Sequence, residues 1–346
     1  MGKHITYLEY IWIDAYGKTR SKTKIMHGTE IKEYELDYVP MWTFDGSSTG
    51  QSTGSRSDLI LIPVALFRDP FRRYTDDSDL SHSSLLVLCE IYGEDNKPHH
   101  TNNRHKCNET YRITRKYESL FGIEQEYVLY DNNNEPYKWN GKMLKQGEHY
   151  CGAGGNVSIG REIVEEHIVA CCYAGISICG VNAEVMPSQW EFQIGTEDGI
   201  SVCDQLWVAR YILDRICEKY GCWANYHPKP KKDFNGSGCH TNFSTKQMRE
   251  ENGYDHIVEA CKKLSLVHKE HLECYGNHND ERLVGQYEAS NIDVFTYGVA
   301  ERGCSVRIPL NVVQQKKGYM EDRRPGSNMD PYLVIEKILN TVCSNK

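Results

Sequence analysis

Residues 182–195 read NAEVMPSQWEFQIG, and the way this stretch folds decides the architecture around it. Pro187 lacks the N–H that a sheet ladder requires, so MPSQ (186–189) reads as a turn between two strands, SICGVNAE and WEFQIG. A turn centred between Pro187 and Ser188 sets Glu184 directly opposite Glu191 on one face of the hairpin. Like charges at that separation repel unless something compensates, and a metal ion would.

A second acidic pair lies in FGIEQEYVLY (121–130). In a strand, residues i and i+2 share a face, so Glu124 and Glu126 point one way and Gln125 the other. Either pair alone fits an exposed sheet face; two such pairs in one domain favour a shared site. NGSGCHTNFS (235–244) adds His240 behind Gly236 and Gly238, glycines that permit close backbone approach. GYMEDRRPGS (318–327) sets Glu321 beside Arg323 and Arg324, and ERGCSVRIP (301–309) supplies Arg302 and Arg307. Taken singly, the histidine fits a structural role and the charges a solvated cluster. Together, five glutamates and one histidine form a hard donor set suited to Mg²⁺ or Mn²⁺ and unlike structural zinc. Arginines beside such a set fit phosphate and carboxylate substrates. GAGG (152–155) lacks the Gly-Lys-Ser/Thr continuation of a phosphate loop and is not one.

Working outward, residues 1–95 hold short β-rich runs, HITYLEYIWID, LILIPVALF and SSLLVLCEIYG, between Gly, Ser and Asp clusters. They read as a small, mostly β domain. The polar stretch 93–108 has no apolar periodicity and marks the boundary with a second domain, 96–346. There, helical spacing recurs over 161–174 (Val164, Ile168, Cys171, then Gly175) and 203–220 (Leu206, Ala209, Leu213, Ile216, then Gly221). Asp330 and Pro331 start a last helix carrying Val334, Ile338 and Val342. The second domain is α+β, and there is no internal repeat.

Composition narrows the class. The 346 residues, 39% hydrophobic and 25% charged, match a soluble globular protein, with no apolar run of about 20 residues to span a bilayer. The start MGKHITYLEY lacks a secretory h-region, so the chain is expected in the cytoplasm, off the membrane. Gly2 and Thr6 fit the loose myristoylation pattern, but Ile5, Tyr7, Ile11 and Ile13 read as the start of a strand. The 14 cysteines show no CxxC pair and are expected to be free, mostly buried thiols. A net charge of −8 argues against nucleic acid as a partner.

WTFDGSSTGQSTGSRSDLILIP, FGIEQEY, NAEVMPSQWEFQIG, NGSGCHTNFSTKQMREENG, RIP and KKGYMEDRRP, taken in order, resemble the glutamine synthetases of the type II, eukaryote-like class. The resemblance implies an α+β fold: an N-terminal β-grasp domain, then a catalytic domain whose curved antiparallel sheet, flanked by helices, forms a funnel for metals, ATP and glutamate. By matching motif it implies one metal on Glu126, Glu184 and Glu191 and a second on Glu124, His240 and Glu321, with two or three Mg²⁺ or Mn²⁺ ions per site. Glu191, Asn242, Phe243, Ser244, Arg302, Arg307 and Tyr319 are expected to face ATP. Asn235, Gly236, Arg282, Arg302 and Arg323 are expected to hold glutamate or its transferring phosphate, and Asp45, Ser48, Tyr150 and Glu288 to form the ammonium pocket and its flap. Asp45, Glu288, Arg302 and Arg323 are the expected catalytic residues, and a ring homo-oligomer, a decamer in this class, the expected assembly. Three positions depart from the family pattern: Tyr287 stands for its histidine, Asn156 for an aspartate and His149 for a tyrosine.

The implied reaction is ATP-dependent joining of ammonia to L-glutamate through γ-glutamyl phosphate. Two alternatives are a γ-glutamyl ligase for a larger amine and a catalytically silent structural protein on the same fold. Asp45 and Glu288 favour ammonia, and all six metal-ligand positions are filled.

Overall fold

The computed structural model describes residues 4–73, 75–77, 80–141, 147–287 and 289–344, with the backbone alone for 75–77, 80 and 81. Gly2 of the lipidation pattern and Glu288, expected in the flap, lie outside the described residues. Two units form: Met1–Lys106 with His167–Ile176 and Trp207–Ile212, and Cys107–Glu166 with Ser177–Leu206 and Leu213–Lys346.

In the first unit, strands β1 (Ile5–Ile13), β2 (Thr19–His27), β3 (Trp42–Asp45), β4 (Asp58–Arg68), β5 (Thr75–Asp77) and β6 (Leu80–Tyr92) build one sheet. Its order is β2-β1-β6-β4-β3, with β5 on β6. β1 and β6 run parallel and the other pairs antiparallel. Alternation in β1 puts Leu8, Tyr10 and Trp12 on one face, packed with Leu59, Leu61, Leu85 and Val87. The opposite face is buried too: Ile11 is fully covered and Glu9 accepts from the Tyr211 hydroxyl at 3.2 Å. Burial on both faces explains why β1 is nearly continuously apolar. The stretch 93–108 is not all linker, because a helix starts inside it (Asn103–Thr114).

The second unit is built on β7 (Leu120–Asp131), β8 (Ile178–Ala183), β9 (Gln189–Glu197), β10 (Cys222–Asn225), β11 (Cys239–Ser244), β12 (Tyr297–Val299), β13 (Val306–Ile308) and β14 (Met320–Asp322). Their order is β12-β13-β14-β11-β7-β9-β8, with β10 also on β7. Among the described residues every pair is antiparallel except β12–β13. Helix Arg161–Ala174 has the expected bounds, and Gly199–Tyr220 begins earlier than its periodicity over 203–220. Asp198 accounts for the early start, its side chain accepting from the Ile200 and Ser201 N–H groups. Helix Pro331–Cys343 is capped by Asp330 as expected. A Cβ on Gly199 would stand 3.2–3.4 Å from Ile335, Phe121 and Tyr111, so three helices meet the apolar face of β7 there.

The opening hairpin corrects one expectation. Asn182, not Glu184, lies opposite Glu191, and Glu184 pairs with Gln189 through a 2.8 Å backbone bond. The turn is centred one residue earlier, closed by Gln189, whose side-chain oxygen accepts the Met186 N–H at 3.0 Å. Moving the centre by one residue moves partners by two, which preserves the face. Glu191 does face an acid directly, but the acid is Glu126 on β7.

Among the described residues the cysteines are free, most of them buried, and no helix is long and apolar enough to cross a membrane. The end of β14 is fixed by a buried ion pair. Arg324 and Asp322 are inaccessible and joined by bonds of 2.9 and 2.7 Å, with the Tyr275 hydroxyl donating to Asp322 at 2.8 Å. Asp322→Ala strands the guanidinium and is expected to lower stability by about 3–5 kcal/mol, read from the urea midpoint and slope. The double change Asp322→Leu with Arg324→Met should lose distinctly less.

Candidate active site

Strand alternation decides which side chains meet. Glu124 and Glu126 project from one face of β7, while Gln125 points into the core and donates to the Ser327 carbonyl at 3.0 Å. Across β7, His240 on β11 lies opposite Glu124, and Glu191 on β9 opposite Glu126. On β14, Glu321 pairs with Asn242 on one side and Arg307 on the other. Glu124, Glu126, Glu191, His240, Arg307 and Glu321, with Glu184, Tyr150, Asn235, Gly236, Arg282, Arg302 and Arg323, line one cavity of about 490 Å³. Arg323 shares the cavity with Glu321, whereas its neighbour Arg324 belongs to the core.

His240 Nδ1 stands 3.6 Å from Glu124 and 3.5 Å from Glu321, and its Nε2 3.9 Å from Glu126. Ligand atoms of Glu124, His240 and Glu321 all lie within 4.8 Å of one another. Burial, then Glu184 and Glu191, push Glu126 well above the carboxylate range. Burial, then Glu124, push Glu191 up to about 8. Burial, then Arg323, push His240 down, which keeps its imidazole neutral. Acids that burial and one another's charge force to hold protons, beside a neutral imidazole, fit divalent cations chemically.

Neutral amides orient these acids. Gln193 donates to Glu191 at 2.7 Å, Asn182 to Glu184 at 2.9 Å, Asn242 to Glu124 at 2.8 Å and Gln189 to Glu126 at 3.3 Å. The sequence reading overlooked Asn182, Gln189 and Gln193. Their signal was available, since Asn182 and Glu184, like Gln189, Glu191 and Gln193, recur at the two-residue strand period.

Two arginines embrace Glu321, Arg307 at 2.9 Å and Arg323 at 2.6 Å. Arg282 also lines the cavity, but its Nη2 bonds the carbonyls of Arg323, Arg324 and Pro325, and its Nε bonds Asn279. It therefore braces the turn that carries Arg323.

A second cavity of about 350 Å³ adjoins the first through shared Glu124 and Gln193 and is bordered by Asn242, Phe243, Ser244 and Tyr319. The ring of Phe243 is buried, its centroid 5.0 Å from that of Phe121, so the side chain belongs to the core. Arg249, absent from the sequence reading, borders this cavity and donates to the Ser244 hydroxyl at 3.0 Å.

Asp45 and Ser48 belong to the first unit. Asp45 accepts from the Ser47 N–H at 3.0 Å, and from the Ser47 and Ser48 hydroxyls at 2.7 Å each. Bonds from Ser47, Ser48 and Ser57 hold its pKa below the ordinary range. Of the three departures, Tyr287 lines the first cavity, with Lys229 Nζ 4.4 Å over its ring. His149 is buried and bonds the Val157 carbonyl at 2.8 Å, while the exposed Asn156 lies outside the lining of either cavity.

Residues 4–94 match the family model described as glutamine synthetase, beta-Grasp domain, and residues 104–344 the one described as glutamine synthetase, catalytic domain. Curated relatives named glutamine synthetase include one from Bos taurus, 49% identical over 97% of this chain and 90% of its own length. One from Yarrowia lipolytica is 47% identical over 97% and 90%, and one from Agaricus bisporus 47% identical over 98% and 93%.

The raised carboxyls have a signed consequence. Glu191, at about 8 when folded against an ordinary 4.5, contributes stability that is complete below pH 4.5 and lost as pH rises through 8. The melting temperature of metal-free protein is expected to fall across that window, and Glu191→Gln to flatten the fall. An ion held by Glu191 must displace its proton, so that proton alone should make apparent Mg²⁺ affinity rise by up to about tenfold per pH unit below 8. Calorimetric titration at several pH values checks this, and a pH-independent affinity contradicts it.

Proposed function

The chain belongs to the glutamine synthetase family, and from that premise we propose how its residues divide the joining of ammonia to L-glutamate. It is a glutamate–ammonia ligase that uses ATP. The observation carrying the assignment of roles is the single cavity in which five glutamates and one histidine meet Arg302, Arg307 and Arg323.

A carboxylate does not react with ammonia, so the γ-oxygen of glutamate first takes a phosphoryl group from ATP, which provides a leaving group. Glu126, Glu184 and Glu191 would hold one divalent ion and Glu124, His240 and Glu321 another; Mg²⁺ or Mn²⁺ there supplies neutralisation of phosphate charge. Arg323 and Arg302 orient the glutamate carboxylate and the transferring phosphoryl. Arg307, Asn242, Ser244 and Tyr319, with the backbone about Phe243, line the face open to ATP, and Asn235 and Gly236 seat glutamate beside Glu126. Arg282 acts by holding the turn before Pro325 in place.

Asp45, kept ionised by its hydroxyl donors, attracts ammonium and takes up its surplus proton; the same donors make it a weak base, so charge attraction is its larger part. Tyr150 and Glu288 close over the acyl phosphate and exclude water, which would hydrolyse it. The resemblance to type II glutamine synthetases implies a site shared across a head-to-tail subunit contact, so we place Asp45 of one subunit at the cavity of its neighbour. Such head-to-tail contacts close into rings, here two of five subunits, in the cytoplasm.

Phosphate release from Mg-ATP should require both glutamate and ammonium; release independent of glutamate overturns the reading. Asp45→Asn should lower glutamine formation by about 10²-fold or more while hydroxylamine still traps the acyl phosphate. Equal loss of both products would remove Asp45 from the ammonia step. Co-assembly of Asp45→Ala and Arg323→Ala subunits in equal amounts should restore about a quarter of wild-type activity if neighbours share sites. No recovery in verified mixed oligomers would show that each site lies within one chain.

A further inference from the structure

Away from the two cavities, a second set of metal-ligating side chains converges. His227, His278 and Glu281 bring ligand atoms within 4.8 Å of one another. The two imidazoles stack with centroids 5.4 Å apart and planes inclined by 26°, and His278 Nδ1 stands 3.4 Å from Glu281. None of the three lines the cavity of the proposed reaction. We propose that they form a surface site for a borderline transition ion of the Zn²⁺ class, chemically distinct from the glutamate-rich cavity.

The donors decide the class of ion. Two imidazoles and one carboxylate suit Zn²⁺, Ni²⁺ or Co²⁺, whereas Mg²⁺ prefers oxygen ligands and keeps much of its water. Three protein ligands leave a fourth, tetrahedral position to solvent.

The backbone beneath the cluster is held from inside. Asn279 is buried and donates to the Arg324 carbonyl at 2.7 Å, while accepting from Arg282 Nε at 2.9 Å. These bonds fix the single turn Asn279–Glu281, which aims His278 and Glu281, three residues apart, to the same side. On the other loop the His227 N–H is bonded to Asn225 at 2.9 Å. The two loops meet at Gly326, where a Cβ would stand 3.0 Å from Asn279 Oδ1 and 3.1 Å from the Pro228 ring. Both loops are therefore positioned by packing that owes nothing to a metal, and the ligands need only small rotations.

Binding has one structural requirement. His227 Nδ1 accepts the Lys229 N–H at 3.0 Å, so its neutral ring carries the proton on Nε2. When Nε2 takes the metal, that proton leaves Nε2 and Nδ1 acquires one. The Lys229 N–H then loses its acceptor and turns to water.

The test uses the full-length protein with its carboxylate cavity saturated by excess Mg²⁺ and its exposed thiols alkylated. Zn²⁺ is titrated by calorimetry into the wild type and the His227→Ala/His278→Ala variant, with circular dichroism confirming that the variant is folded. The wild type should bind one more Zn²⁺ per chain, and Co²⁺ should give it visible absorption of tetrahedral intensity that the variant lacks. Equal stoichiometry and equal Co²⁺ spectra overturn the site. If the double variant does not fold, Glu281→Gln, which keeps the side-chain shape, carries the comparison. It should weaken Zn²⁺ binding by at least about tenfold, the lower bound for losing even an outer-shell partner, and unchanged affinity overturns the proposal. Since neither variant touches the residues given to the ligase reaction, glutamate-dependent phosphate release without Zn²⁺ should persist in both.

Discussion

Mutual repulsion among acids crowded on one sheet face is the constraint on which the rest of the second unit depends. Glu126 and Glu191 are both buried and directly opposed, and neither has an arginine as its main partner. Left to themselves they hold protons instead of charge. An arrangement so unfavourable persists only because the other face of β7 leaves the strand no alternative. Phe121 and Ile123 are buried there, and Gln125 is tied to Ser327. Packing energy on one face thus sustains electrostatic tension on the other.

The neighbours chosen for these acids follow from the same constraint. An arginine beside Glu191 would relieve the repulsion but would also take the place of an incoming cation. An amide satisfies a lone pair and fixes the rotamer without neutralising charge. Gln193, Asn182, Asn242 and Gln189 do this for four of the acids, while Glu321 is held by two guanidiniums, those of Arg307 and Arg323. Those two arginines face a cavity where anionic phosphate and carboxylate can compete for them.

Much of this was legible in the sequence because it rests on period-two patterns. The runs that became β1, β4, β6, β7 and β9 were readable, as was the common face of Glu124 and Glu126. The hairpin shows the limit. Which face Glu184 and Glu191 share depends on parity and was read correctly, whereas which residues oppose depends on the turn, set by a Gln189 side-chain bond that no propensity scale contains. β2, TRSKTKIMH, gave no signal because a charged edge strand needs no apolar alternation. β12, β13 and β14 have three residues each, too few for a period to show. The convergence of His227 with His278 and Glu281 joins segments far apart in sequence, so no local spacing could announce it.

The alternation of β7 and β14 also bears on how such a chain can change over generations. Exchanging one side chain for another at Glu124 or Glu321 alters one contact. Adding or deleting one residue within either strand would exchange its two faces, turning Gln125 or Asp322 toward the cavity and an acid or an arginine into the core. Length variation in this lineage is therefore expected to collect in the connections, with the strands that carry the acids fixed in length even where their residues drift.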